Sequence, residues 1–363
     1  MLLWKPVPNF RPNCDNRFFA NSSAWSFFLN STSRLDVAVI GAGAFGRNHA
    51  RVYHELEQQG EPVHLAAIVD ADPVRADAIA QEYGARAFGS VDQLLTWNEI
   101  HAASVAVPTQ HHLATAGPLM EAGVDVLIEK PIAATLAEAD ELVQLAAKHQ
   151  RIAQVGHLER FNAAVRATYP LLKQPLFFEI HRMSVFTPRS LDIDVVLDLM
   201  IHDLDIVLSF VKSPIERLHA VGLPVLTNKV DIANVRLEFA SGCVANLTAS
   251  RVSTERVRKV RFFQPHQYLS IDYGRQDLLV FNVDPAGTNP IPGQPDSMIK
   301  ITKPVVAGAA EEPLRAELKA FLHAVRTRTQ PVVSLEDGRR ALALALDILA
   351  AIQEHGQRIQ LVS

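Results

Sequence analysis

The sequence predicts an α/β fold: a doubly wound parallel sheet, followed by an α+β domain with a mostly antiparallel sheet. Three observations carry this. An apolar, β-branched run at residues 35–40 opens onto a glycine-rich turn and then a helical stretch. Strand and helix patterns alternate from there to about residue 155. Beyond about residue 177, short strands follow one another with tight turns such as Ala240-Ser241-Gly242 between them.

The elements follow in order. Residues 35–40 (LDVAVI) read as a buried parallel strand, and 45–58 as the helix after the turn. A second strand, 63–70, ends in Asp70. Pro73 starts a helix over 73–83. A short strand near Ala87, a helix at 91–96, a strand at 102–107 and a helix at 111–122 come next. Strand 124–128 leads into Glu129-Lys130-Pro131, and helix 135–149 and strand 151–155 close the alternation. Strands are then expected at 177–186, 216–223, 232–240, 243–250, 257–264, 267–272 and 277–283. One helix, about 194–211, interrupts them. Four prolines and two glycines mark 285–297 as a surface loop, and helices at 312–328 and 335–354 end the pattern.

This organisation suits a chain of 363 residues, about two domains at roughly 150 residues each. We expect one domain over 34–156 and a second over 157–363 that includes the closing helices. Residues 1–33 mix Trp4, Phe10, Phe18, Phe19, Trp25 and Phe27 with many Asn and Ser. Asp15, Asn16 and Arg17 interrupt any signal-peptide core. The segment reads as a disordered leader or as residues upstream of the true start, with a docking arm on a partner subunit as the alternative. A net charge of −4 argues against a nucleic-acid groove. Two cysteines without a CxxC pair fit a reducing cytoplasm. No apolar run reaches the roughly 18 residues of a membrane span.

Residues 41–46 read GAGAFG, and their context between strand and helix is what gives this common hexad meaning. Gly41 permits the tight turn, Gly43 lets a pyrophosphate approach, and Gly46 lets the helix pack on the strand. The helix N-terminus, including Ala44 and Phe45, then offers free N–H groups to phosphate. A purely structural turn is the alternative. Asp70, 24 residues after Gly46, stands where a carboxylate meets the adenosine ribose hydroxyls. It accepts bonds from a free 2′-OH and repels a 2′-phosphate, so NAD is expected over NADP. Arg75 keeps the other cofactor open.

Lys130 stands at the carboxyl end of the fifth strand, the ligand-binding edge of such a sheet. In isolation it reads as a surface lysine before a turn proline. The helix at 194–211 is apolar nearly all round, so it should be buried, yet it carries Asp198, His202 and Asp205 at i, i+4 and i+7. Buried groups of this kind must be paired or face a cleft. Asp203 is expected to point elsewhere. Histidine as proton acceptor and aspartate as orienting group suit hydroxyl oxidation. A satisfied core pair and a metal site are the alternatives; a third metal ligand is lacking, and no metal is expected. His157, Arg160 and Asn162 follow the last strand of the alternation, and Arg160 could hold a substrate anion or an interdomain salt bridge. His181, Arg182 and Arg189 could add to such an anion site or lie solvated. A hydrolase reading finds no Gly-x-Ser-x-Gly.

Together, GAGAFG at 41–46, Asp70, VPTQHH at 107–112, EKP at 129–131 and Asp198-x-x-x-His202 resemble the Gfo/Idh/MocA oxidoreductase family over about residues 35–355. The resemblance implies a Rossmann domain and a C-terminal sheet that covers the nicotinamide and builds a homodimer or homotetramer. It implies that Glu129 and Lys130 contact the cofactor, that Lys130 also contacts substrate, and that Pro131 is cis. Asp198 falls on the substrate-binding aspartate, His202 on the catalytic histidine, and Pro108, Thr109 and His111 on the loop lining the cofactor. His157, Arg160, Asn162 and Arg182 are the further substrate-binding candidates.

Within the family, residues 155–162 and 191–205 look most like a bacterial branch that oxidises UDP-N-acetylglucosamine at C3, ahead of a 3-amino sugar of lipid A. Ile193, Val195 and Val196 replace a glycine-rich stretch common in the family, which implies a bulkier pocket wall. A diphosphate substrate requires Arg160, Arg182 or Arg189 to converge on the cleft. If those arginines pair with carboxylates instead, a dehydrogenase or reductase of a free sugar or polyol gains. A non-catalytic NAD-binding scaffold predicts loss of the lysine or the histidine, and both are present.

Overall fold

The computed structural model describes residues 33–187, 193–283 and 299–358. Nearly all of the 1–33 leader, Arg189 and the 285–297 loop lie outside them. The first half alternates as the sequence predicts. Its strands are β1 (Leu35–Ile40), β2 (Val63–Val69), β3 (Arg86–Phe88), β4 (Ala102–Val105), β5 (Asp125–Glu129) and β6 (Ala153–Gly156). Its helices are α1 (Ala44–Gln58), α2 (Pro73–Tyr83), α3 (Val91–Trp97), α4 (His112–Glu121) and α5 (Leu136–His149).

Local chemistry fixes the helix ends. The Asp72 side chain caps α2 ahead of Pro73, and Ser90 caps α3. Thr135 and Glu138 form a reciprocal capping box on α5. The strand expected at 102–107 stops at Val105, because Pro108 lacks an N–H and turns the chain into a 3₁₀ turn at Thr109–His111. The six strands are all parallel in the order β3-β2-β1-β4-β5-β6, so the order reverses between β1 and β4. That reversal opens the ligand crevice at the carboxyl edge.

A short helix, α6 (Ala163–Thr168), leads to the second sheet. Its strands are β7 (Phe177–Val185), β8 (Ile215–Leu223), β9 (Ile232–Phe239), β10 (Val244–Ser253), β11 (Val257–Gln264), β12 (Gln267–Asp272), β13 (Asp277–Val283) and β14 (Ile299–Thr302). They lie in the order β14-β13-β12-β11-β7-β10-β9-β8. Every pair is antiparallel except β7 and β10. A parallel pair needs a crossover, and the helix α7 (Ile201–Phe210) with the β8–β9 hairpin provides it. The sequence reading did not single out α6 or β14. It also took 194–211 as one plain helix, whereas Val196–Met200 forms a π-turn that runs into α7.

Two helices end the described chain, α8 (Pro313–Thr327) and α9 (Leu335–Arg358). Although both were read with the second domain, α8 packs on the first: Leu314, Leu318 and Phe321 share an apolar cluster with Leu35, Tyr53 and Leu65. Helix α9 touches both sides. Leu342 joins the cluster around β4 and β5, while Ala345, Ile348 and Ile352 join the core between α7 and the second sheet. Helix α9 thus ties the two halves of the molecule together.

Candidate active site

The crevice begins at the glycine turn. Gly41 has φ of 93°, and a Cβ there would meet the Ala106 carbonyl oxygen at 2.6 Å. A Cβ on Gly46 would stand 1.7 Å from the Gly41 carbonyl oxygen. Gly43 differs: a Cβ there would meet nothing within 4 Å, so open space lies over the N-terminus of α1. No side chain caps that terminus and its first turn holds no acid. Its N–H groups are therefore available to an anion. Ala44 and Phe45 are exposed beside it. Asp70 follows β2, and its carboxylate accepts from the Ala42 N–H at 2.7 Å and the Asp72 N–H at 2.9 Å. Pro108, Thr109 and His111 border the same edge after β4. These features fit a dinucleotide.

Lys130 follows β5, and its peptide bond to Pro131 is cis. Its ammonium donates to the Asp198 backbone oxygen at 2.7 Å and lies 3.7 Å from Asp198 Oδ1. Burial holds the Lys130 pKa below its ordinary value, opposed by the charges of Asp198 and Glu129. Asp198 sits inside the π-turn, a feature frequent at functional sites. His202, one turn on, has an imidazole whose pKa lies well below the usual value. Burial is the first cause, and the positive charges of Lys130 and Arg182 add to it. The ring is therefore neutral and able to accept a proton. His157 is also buried, and neither ring nitrogen has a hydrogen-bond partner. The structure thus brings Lys130, Asp198, His202 and His157 together.

Three expected substrate contacts are corrected. Arg160 holds Asp205 through two bonds, at 2.6 and 2.8 Å. Arg182 holds Asp203 in the same forked manner, at 2.7 and 2.9 Å, and reaches Glu159 at 3.1 Å. Both arginines are buried and carboxylate-bound, so neither is an anion site. Asn162 is buried and turns its amide to the Tyr273 carbonyl and its oxygen to the α6 terminus. Asp205 is corrected as well, whereas Asp203, expected off that face, pairs with Arg182. Helix α7 is enclosed on all sides, so the face one turn beyond His202 leaves the cleft and meets the 158–161 turn. His181 lies on the opposite face of β7 from Arg182. Val195 and Val196 are packed in the core and build no pocket wall.

The Glu129 carboxylate pairs with His49 Nε2 at 3.0 Å and accepts from the Lys130 N–H at 3.2 Å, which fixes the end of β5. Sequence reasoning missed His49, although its place three residues after Gly46 puts it on the inner face of α1. It also missed Glu317, which is wholly buried with both carboxyl oxygens unpartnered. The signal was legible: Glu317 interrupts the apolar stripe of Leu314, Leu318 and Phe321.

Burial, with the Glu129 charge added, raises the Glu317 pKa well above the ordinary carboxyl value. Stability from this group is full below the unfolded pKa and is lost as pH rises through the folded one. Glu317→Gln should therefore gain in Tm over the wild type as pH rises from acid towards neutral. A difference that stays flat with pH in thermal melts would contradict the assignment.

A surface cavity of about 1000 Å³ lined by His101, Asp125, Arg151 and Arg328 lies at the amino-terminal edge of the parallel sheet. Ligands of such sheets bind at the other edge. Among the described residues no group of three or more His, Cys, Asp or Glu is placed to hold a metal.

The crevice, the open helix terminus and the lysine–histidine cluster define an NAD-binding oxidoreductase. Residues 35–157 match the oxidoreductase family model with an NAD-binding Rossmann fold, and residues 154–264 match the GFO/IDH/MocA C-terminal domain. A UDP-N-acetylglucosamine 3-dehydrogenase from Acidithiobacillus ferrooxidans is 38% identical over 330 residues, spanning 89% of this chain and 99% of the relative. An inositol 2-dehydrogenase from Leifsonia xyli is 30% identical over 194 residues, 52% of this chain and 56% of the relative. A solved structure of the Acidithiobacillus ferrooxidans enzyme superposes with a TM-score of 0.79 at 34% identity, covering 88% of this chain and 98% of the other. The chain belongs to the Gfo/Idh/MocA oxidoreductase family. The structure of a levoglucosan dehydrogenase in complex with NADH shares its fold at a TM-score of 0.76 and 18% identity, covering 89% of this chain and 98% of that one.

Proposed function

We propose that the protein is an NAD-dependent dehydrogenase that oxidises the C3 hydroxyl of UDP-N-acetylglucosamine. The observation that carries the chemistry is the junction of Lys130, Asp198 and a neutral His202 at the carboxyl edge. The substrate follows from the relative matched over nearly its whole length. Asp70, the α1 terminus and Lys130 would hold the cofactor, which when bound would supply the hydride acceptor. Lys130 donates a hydrogen bond to the substrate hydroxyl, and Asp198 orients lysine and sugar. His202 takes the hydroxyl proton. His157, unpartnered in the cluster, contacts the sugar. NAD is favoured over NADP because the Asp70 carboxylate repels a 2′-phosphate, and Arg75 is drawn to Asp70 and Asp72 at 3.5 and 3.3 Å. The ketosugar formed suits a transaminase that makes a 3-amino sugar, as in lipid A synthesis.

A free sugar or polyol is the second reading, and the pairing of Arg160 and Arg182 with carboxylates favours it. NADH or NADPH formation by absorbance separates the two. UDP-N-acetylglucosamine, inositol and glucose are offered with each cofactor and a ketone trap. Turnover of the nucleotide sugar with NAD is expected; turnover of the free polyols alone contradicts the first reading.

The same proposal places the enzyme in the cytoplasm, on its two-cysteine composition, and makes it a homodimer or homotetramer. No helix among the described residues is long and apolar enough to cross a membrane. An aromatic ladder supports assembly through the outer face of the second sheet. Phe177, Phe263, Tyr268 and Phe281 stack across β7, β11, β12 and β13 at centroid spacings of 5.6, 4.8 and 4.7 Å, and Ile301 extends the row. The residues on the other face of these strands, Phe178, Phe262 and Val280, fill the core. Such an apolar row marks an interface. Phe263→Glu should shift the protein towards monomer in light scattering after gel filtration. A wild type that is already monomeric contradicts this assembly.

A further inference from the structure

Binding a diphosphate at neutral pH needs a cation that is not already paired, and neither Arg160 nor Arg182 qualifies. We propose that Arg258 recognises the diphosphate of the nucleotide-sugar substrate. The proposal rests on the nucleotide-sugar reading above.

Strand register places Arg258. It lies on β11 directly opposite Arg182 of β7 in an antiparallel pair. Residues directly opposed in such a pair project to the same face. That face carries Phe178, Ile180, Val260 and Phe262, all packed beneath α7. Arg182 grips Asp203, the residue next to His202. Arg258 therefore lies on the cleft side of the sheet, where the apolar core gives way to the site. The burial pattern agrees: Val260, Phe262 and Gln264 are buried, while Arg258, in the same alternation, is exposed.

Electrostatics point the same way. Among the described residues no carboxylate forms a salt bridge with Arg258, whereas Arg160, Arg182, Arg251 and Arg261 each have one. Partial burial and the like charge of Arg182 hold the Arg258 guanidinium below its ordinary pKa, against the pull of the Glu159 and Asp203 carboxylates. Its positive charge also reaches His202. A guanidinium without a salt-bridge partner keeps its fork free, and that fork matches two phosphate oxygens. The cofactor's pyrophosphate has its own seat at the α1 terminus, so the two anions do not compete.

The test uses the full-length protein with saturating NAD. UDP binding is measured by calorimetry, and KM and kcat with UDP-N-acetylglucosamine. Arg258→Ala should weaken UDP and raise KM about 10- to 100-fold, the range for a lost charge-assisted contact. It should leave kcat within a few-fold and NAD affinity unchanged. Arg258→Lys, which keeps the charge without the fork, should retain part of the affinity. Arg256→Ala should change KM much less. UDP binding unchanged in Arg258→Ala would overturn the assignment of Arg258 alone. A wild type that neither binds UDP nor turns over the nucleotide sugar would instead overturn the substrate reading.

Discussion

Replacing His202 by alanine should lower kcat by about 10²- to 10⁴-fold, the usual contribution of a positioned general base. NAD affinity should stay within a few-fold, because His202 lies on α7, across the cleft from the glycine turn. The pH profile carries the sharper signature. Burial and the nearby cations lower the His202 pKa well below the usual value, so the proton-accepting ring persists as pH falls. The rate limb set by this group should lie below the ordinary histidine value of about 6.5. That limb should vanish from the residual rate of the variant. Steady-state kinetics across pH check both points. A wild-type limb centred near the ordinary value, or a variant with unchanged kcat, would contradict a neutral, catalytic His202.

Asp205→Ala should destabilise the fold by about 3–5 kcal/mol, because it leaves the Arg160 guanidinium buried without its forked partner. Asp337 lies 3.9 Å from Arg160 and compensates only in part. Urea denaturation measures the loss. Arg160→Ala combined with Asp205→Ala should lose less than the two single changes summed, since removing both charges leaves none stranded. A stable Asp205→Ala protein with a raised KM would return Asp205 to the cleft, where helix periodicity alone had put it.

That reassignment shows where the sequence was legible and where it was not. The glycine turn, the alternating elements and the strands at 257–264, 267–272 and 277–283 announce themselves through local chemistry: turn geometry, capping and a period of two. Lys130, Asp198 and His202 were legible because each stands at a place that topology makes special, a strand end or a helix too apolar to expose its charges. The partners of Arg160 and Arg182 were not legible. A buried arginine and an anion-binding arginine look alike in sequence, and only tertiary register separates them. Arg258 was overlooked for the same reason, since its place depends on pairing with a strand some 70 residues earlier. The π-turn at Val196–Met200 and the parallel β7–β10 pair likewise arise from packing between distant segments.

A hydride passing from C3 of the nucleotide sugar to NAD, while His202 takes the hydroxyl proton, leaves an isotopic signature. The most direct measurement supplies UDP-N-acetylglucosamine deuterated at C3, with NAD and a ketone trap, and reads the reduced cofactor by mass spectrometry. Deuterium in the recovered nicotinamide, with its formation suppressed in His202→Ala, is the predicted result. Reduced cofactor without deuterium, or no reduced cofactor from a protein that binds both ligands, would contradict it.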